Sequence, residues 1–155
     1  MPDPETPGAA SLRDSNAAWE SLFRAQVSVM RKLQKLPEFK QLSTREYDVL
    51  FNLSRCPSGS SRLSDLNQHL LISQPSLSRM ADRLESKGLV SREPDPTDQR
   101  AVLFMLTEAG ARLQKEIGRE HVKGIHTLIG DALDAEEFKV LQQLTTKLRN
   151  HVEAG

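Results

Sequence analysis

The sequence predicts a mainly α-helical protein with a small antiparallel β wing, a winged helix-turn-helix set between long helices from both chain ends. Three observations carry that prediction. Two short helical segments near Ser64 and Ser73 are separated by only three or four residues. Gly88 then supplies a helix stop, with Lys87 suited to the negative helix end. Beyond it, two apolar runs, Leu89 to Glu93 and Ala101 to Leu106, flank the polar segment Pro94-Asp95-Pro96-Thr97-Asp98-Gln99, the pattern of a hairpin.

The elements follow in order. Residues 1–12 hold Pro2, Pro4, Pro7 and Gly8 among polar residues and are expected to form a flexible arm before one domain spanning 13–155. A first helix is expected over about 15–36, where Trp19, Leu22, Phe23, Met30 and Leu33 recur at helical spacing. A second starts at Ser43, which with Glu46 has the spacing of a capping box, and carries Tyr47, Leu50, Phe51 and Leu53. It stops before the turn-forming run Pro57-Ser58-Gly59-Ser60-Ser61. Ser64 is the expected cap of a short helix with Leu66 and Leu70. Ser73 caps the next, where Pro75 is tolerated in the first turn and Leu77, Met80, Ala81 and Leu84 share a face. After the hairpin, helices run from about Glu108 to Ile129 and from Asp134 onward. The winged lobe is thus placed at about 43–106.

Charge limits the function classes. The 155 residues carry 21 Lys plus Arg against 21 Asp plus Glu. The stretch Arg62 to Arg100 is also even, with Arg62, Arg79, Arg83, Lys87, Arg92 and Arg100 against Asp65, Asp82, Glu85, Glu93, Asp95 and Asp98. A nucleic-acid reading must therefore rest on where the charges sit. One cysteine, Cys56, excludes an intrachain disulfide. No run approaches the roughly 18 apolar residues of a membrane span, and no secretory leader is recognisable, so a cytoplasmic protein is expected.

Placement does favour DNA. At about 100° per residue, the face of the Ser73 helix opposite Leu77 and Leu84 holds Pro75, Ser78, Arg79, Asp82 and Ser86, flanked by Gln74 and Ser76. Small polar residues allow close approach to base edges. Arg79 has the fork that matches guanine, and Gln74 can pair with adenine. The positive helix end with the Ser73 and Ser76 hydroxyls suits phosphate oxygens. In the hairpin, Asp98 stands two residues before Arg100, a spacing expected to hold the Arg100 guanidinium extended for a narrow minor groove. Arg92, on the opposite strand, is expected at a backbone phosphate.

On these residues the chain resembles the MarR family of bacterial transcription regulators. The similar part runs from Leu63 to Gly110, and its most specific portion from Leu84 to Gly110. The family's Asp-x-Arg wing motif matches Asp98 and Arg100, and its recognition-helix positions match Gln74, Pro75, Ser76, Ser78 and Arg79. The resemblance implies an obligate homodimer bound to an inverted-repeat operator of double-stranded DNA, more often as a repressor, and released by a small-molecule effector or by oxidation. The outer helices, about 15–36 and 108–152, support the dimer independently, because their apolar faces exceed what a small winged core can cover.

Other residues point to less. Some family members sense peroxide through a cysteine in the first helix; this chain has none there, and Cys56 is read as an inert thiol. His121 and His126 lie five apart, a poor spacing for one metal, so no metal site or cofactor is expected. Trp19 and Tyr47 are candidate walls of a ligand pocket between the first two helices and the fifth. Catalysis has no recognisable motif, and no enzyme is expected. The alternative reading is a winged-helix protein-interaction module without DNA readout, which the even charge favours.

Overall fold

The computed structural model describes residues 8–155; of the expected arm, residues 1–7 lie outside them. Helix α1 spans Leu12–Leu33, three residues ahead of its expected start, because Ser11 and Asp14 form a capping box there. A 3-10 turn at Pro37–Phe39 leads to α2, Thr44–Arg55, and the expected Ser43–Glu46 capping box is present. Strand β1, Ser60–Arg62, runs directly into the single turn of α3, Leu63–Leu66, followed by a 3-10 turn at Asn67–His69. Helix α4 covers Gln74–Ser86, and strands β2, Val90–Asp95, and β3, Asp98–Leu106, form the wing. Helices α5, Glu108–Ile129, and α6, Ala135–Ala154, close the chain over the expected spans, capped by Thr107 and Asp134.

Three local expectations are corrected. Ser60 and Ser61 are not merely turn residues but part of β1, which pairs antiparallel with β3 and completes a sheet of order β1-β3-β2. Three polar residues have no periodicity to announce a strand; the edge of β3 supplies their partners. Ser64 lies inside α3 rather than at its cap, which falls to Arg62 because the strand enters the helix without a loop. The wing turn is also shorter than the segment 94–99, since only Pro96 and Thr97 separate the two strands.

The core lies in the winged lobe. Leu50, Leu53, Leu66, Leu77, Leu84, Val90 and Phe104 are buried together, with Ile117 joining from α5. Burying each such side chain is worth about 1.5–3 kcal/mol. The ends of the chain contrast sharply. No residue of α6 is buried, and Leu144, Leu148 and Val152 are more than half exposed. On α1 only Leu33 is buried, while Trp19 and Phe23 stand out with their rings 6.1 Å apart.

One junction binds the lobe to the long helices. Gly88 adopts φ +73° and ends α4 in a Schellman arrangement, with Leu89 N–H donating to Leu84 O (3.0 Å) and Gly88 N–H to Glu85 O (2.9 Å). The Thr107 hydroxyl then donates to Gly88 O (2.7 Å) while accepting from Gly110 N–H (3.0 Å), which caps α5. Gly110 sits so close that an added Cβ would fall 2.0 Å from Leu89 O. The Gly88–Leu89 segment that ends α4 is thus seated on the first turn of α5.

Candidate nucleic-acid interface

The expected face of α4 is open. Ser73, Gln74, Pro75, Arg79, Asp82 and Ser86 are exposed, Ser76 and Ser78 half-buried, and Leu77, Met80, Ala81 and Leu84 face the core. The 3.6-residue period enforces that division: apolar positions three and four apart turn inward and leave the small polar residues outside. At the helix start, Ser73 Oγ accepts from Ser76 N–H (3.4 Å) and donates to Ser76 Oγ (2.9 Å). Arg79 reaches back to Ser76 Oγ across 3.3 Å. Hydroxyls and a guanidinium therefore share one end of α4, which also carries the positive end of the helix dipole. The other end is fixed by Lys87, whose Nζ pairs with Glu46 at 3.3 Å on α2.

The wing is built differently from the sequence expectation. Asp98 does not hold the Arg100 side chain; its carboxylate accepts from the Arg100 backbone amide at 3.0 Å. An Asp side chain reaches the amide two residues on without strain, and that local bond wins over a guanidinium contact. What turns Arg100 outward is the strand register. Pro94 pairs with Val102 and Asp95 with Asp98, so Gln99, Arg100 and Ala101 intervene on β3 where nothing intervenes on β2. A bulge of this kind re-aims side chains, and Arg100 is exposed on it.

Sequence reasoning missed the group that organises the tip. Asp95 is buried, and its Oδ1 accepts from both Thr97 N–H (2.8 Å) and Thr97 Oγ1 (2.7 Å). Its Oδ2 accepts from Arg62 Nε at 2.7 Å, and Arg62 Nη2 pairs with the same oxygen. The Thr97 bonds first, and then Arg62, hold the Asp95 carboxyl down at about 2 despite burial. The same partnership raises the Arg62 guanidinium. Arg62 lies 33 residues away on the strand that enters α3, and no local pattern could have joined them.

Arg92 is likewise not free. It pairs with Asp82 and, through Nε at 3.2 Å, with Glu85, both on α4, and its guanidinium lies 5.0 Å over the Phe104 ring. The candidate pocket residues fall in different surroundings. Trp19 stands beside Phe23 on the outer part of α1, whereas Tyr47 is buried against Phe39, Phe51 and His121. They are separated because α1 enters the core only at its last turn. Tyr47 packs on His121 of α5, whose imidazole is shifted below its usual range by burial, with Glu38 opposing. Cys56 donates to Asn52 O at the end of α2. Among the described residues, no group of three or more His, Cys, Asp or Glu is placed to hold a metal ion, and no helix is long and apolar enough to cross a membrane.

Comparison with known proteins gives the same outline. A family model described as MarR family matches residues 42–102, the winged lobe. The HTH-type transcriptional regulator PecS of Dickeya dadantii (strain 3937) is 31% identical over 134 residues, which cover 85% of this chain and 80% of PecS. The crystal structure of AbsC, a MarR family transcriptional regulator from Streptomyces coelicolor, shares the fold with a TM-score of 0.76 at 24% identity, over 96% of this chain and 99% of that one. A mutant of E. coli MarR solved with operator DNA has a TM-score of 0.73 at 27% identity, over 90% of this chain and 99% of the other. With a winged lobe matched in sequence and the flanking helices matched in space, the chain belongs to the MarR family.

Proposed function

We infer that this chain is a homodimeric, sequence-specific DNA-binding transcriptional regulator, acting as a ligand-responsive repressor on an inverted-repeat operator in the cytoplasm. One observation carries the reading: a single lobe exposes two probes of different width, the polar N-terminal half of α4 with Arg79 and the bulged wing with Arg100. A helix fits the major groove and an extended Arg suits a narrow minor groove. The operator complex of the E. coli relative, 27% identical, supports DNA as the partner.

The dimer rests on exposed apolar surface. Trp19 and Phe23 of α1 and Leu144, Leu148 and Val152 of α6 need cover, and a twofold mate supplies it. The pair then presents two recognition helices about one DNA turn apart, roughly 34–36 Å. Each subunit need make only a few phosphate contacts, which reconciles binding with an even charge. In this reading Ser73, Gln74, Pro75, Ser76, Ser78 and Arg79 approach bases and phosphates, Asp98 shapes the wing, and Arg100 enters the minor groove. An effector acts by changing the spacing of the two helices.

Selection of bound sites from random duplexes tests the reading. An approximately palindromic winner is expected, with affinity falling steeply as salt rises. The even charge between Arg62 and Arg100 favours one rival, a winged-helix protein-interaction module. Absence of any preferred duplex at moderate ionic strength would overturn the regulatory reading in favour of that rival.

A further inference from the structure

Arg92 meets three groups at once. It stands directly across the strand pair from Phe104, and its guanidinium covers that ring. Its Nε–H edge faces Glu85 Oε2 and its Nη2 faces Asp82 Oδ1. Asp82 and Glu85 are three residues apart, hence neighbours on one flank of α4. Asp82 also belongs to the same exposed face as Arg79. Left bare, these two carboxylates would repel a phosphate backbone brought against α4, and like charges across an interface oppose docking.

We propose that Arg92 is a positioning residue that ties the wing to α4 and screens Asp82 and Glu85 from DNA, instead of gripping a phosphate itself. This rests on the DNA-binding reading above and reverses the expectation that Arg92 contacts the backbone. The guanidinium suits the task because a planar fork serves two carboxylates while its flat face stacks on an aromatic ring; an ammonium makes no such set of contacts. The neighbouring cation Lys87 is engaged with Glu46 and does not substitute.

The test is a cycle of four proteins, wild type, R92A, D82N/E85Q and R92A/D82N/E85Q, titrated with the selected duplex over a range of salt. R92A should bind about tenfold more weakly. In the D82N/E85Q background the same change should cost less than about threefold, because nothing remains to screen. R92K should lie between wild type and R92A. An equal loss in both backgrounds, with the slope of log affinity against log salt reduced by about 0.9, would make Arg92 a phosphate contact and overturn the proposal. A loss that follows lowered melting temperature in both R92A proteins would overturn it too, as simple packing. The clamp also reads out without DNA. The Arg92 Nε–H resonance should exchange slowly with solvent in wild type and lose that protection in D82N/E85Q; unchanged protection overturns the proposal, whereas failure of wild type to select any duplex sinks the regulatory reading alone.

Discussion

Arg62 and Asp95 close the wing tip onto the entry of the helix-turn-helix: the guanidinium Nε donates to the buried carboxylate across 2.7 Å. Because Asp95 also accepts twice from Thr97, one carboxylate fixes both the turn and its anchorage. Asp95→Ala should therefore free the tip without unfolding the lobe. Amide exchange in β2 and β3 should rise, dimerisation should persist, and operator affinity should fall by about tenfold through lost preorganisation. Unaltered exchange at the tip would show that the strand ladder alone holds it.

Arg100 and Arg79 should behave differently when removed. Arg100→Ala should weaken operator binding strongly, by about 10- to 100-fold, with the dimer intact. Arg79→Ala should cost about 1–3 kcal/mol and relax preference at one base pair. Binding measured against single-base operator variants separates the two; a uniform loss for Arg79→Ala would assign it to a phosphate.

Asp48 on α2 carries a stability cost at neutral pH. Burial pushes its carboxyl from the ordinary 3.8 up to about 6. A raised carboxyl means that the folded state holds its proton over a wider range than the unfolded chain, so stability falls as pH rises from about 4 to about 6. Asp48→Asn should stabilise the protein at pH 7 by about 1–3 kcal/mol, with the gain shrinking toward pH 4. His121 opposes this in acid. Its imidazole is lowered by burial, so the unfolded chain binds the proton first and stability drops as pH falls below about 6.5. Thermal melts of D48N and H121Q against pH should thus change in opposite senses.

Gly110 admits no side chain. A Cβ there would meet Leu89 O at 2.0 Å and Leu89 C at 2.9 Å, both backbone atoms that cannot swing aside. Gly110→Ala should lower stability by about 3 kcal/mol or more, despite alanine's better helix propensity. A melting temperature equal to wild type would mean that the junction yields.

Much of the fold was legible because it is periodic and punctuated. The Ser43–Glu46 capping box, the Ser73 cap and the Gly88 stop each announce an element through side chains acting within a few residues. The exposed face of α4 followed from the same period. What stayed hidden was set by tertiary pairing. Strand β1 exists because β3 offers an edge, the Arg62–Asp95 pair spans 33 residues, and Arg92 was drawn to two acids of α4 that no linear spacing connects to it. The Asp98–Arg100 spacing suggested a hold on the guanidinium, but the Arg100 amide took the carboxylate instead. Trp19 and Tyr47 shared aromatic character and not a location.

The Thr107–Gly110 seat against Gly88 and Leu89 ties the start of α5 to the stop that follows α4. Helix α4 extends 13 residues from that seat to Gln74, a reach of about 18 Å. Rocking α5 by about 5° at the seat would sweep the far tip through about 1.5 Å, enough to stretch a 2.9 Å hydrogen bond past its useful range. In the proposed dimer a slight twist between subunits would thereby be magnified at the groove, so that release would need no large rearrangement.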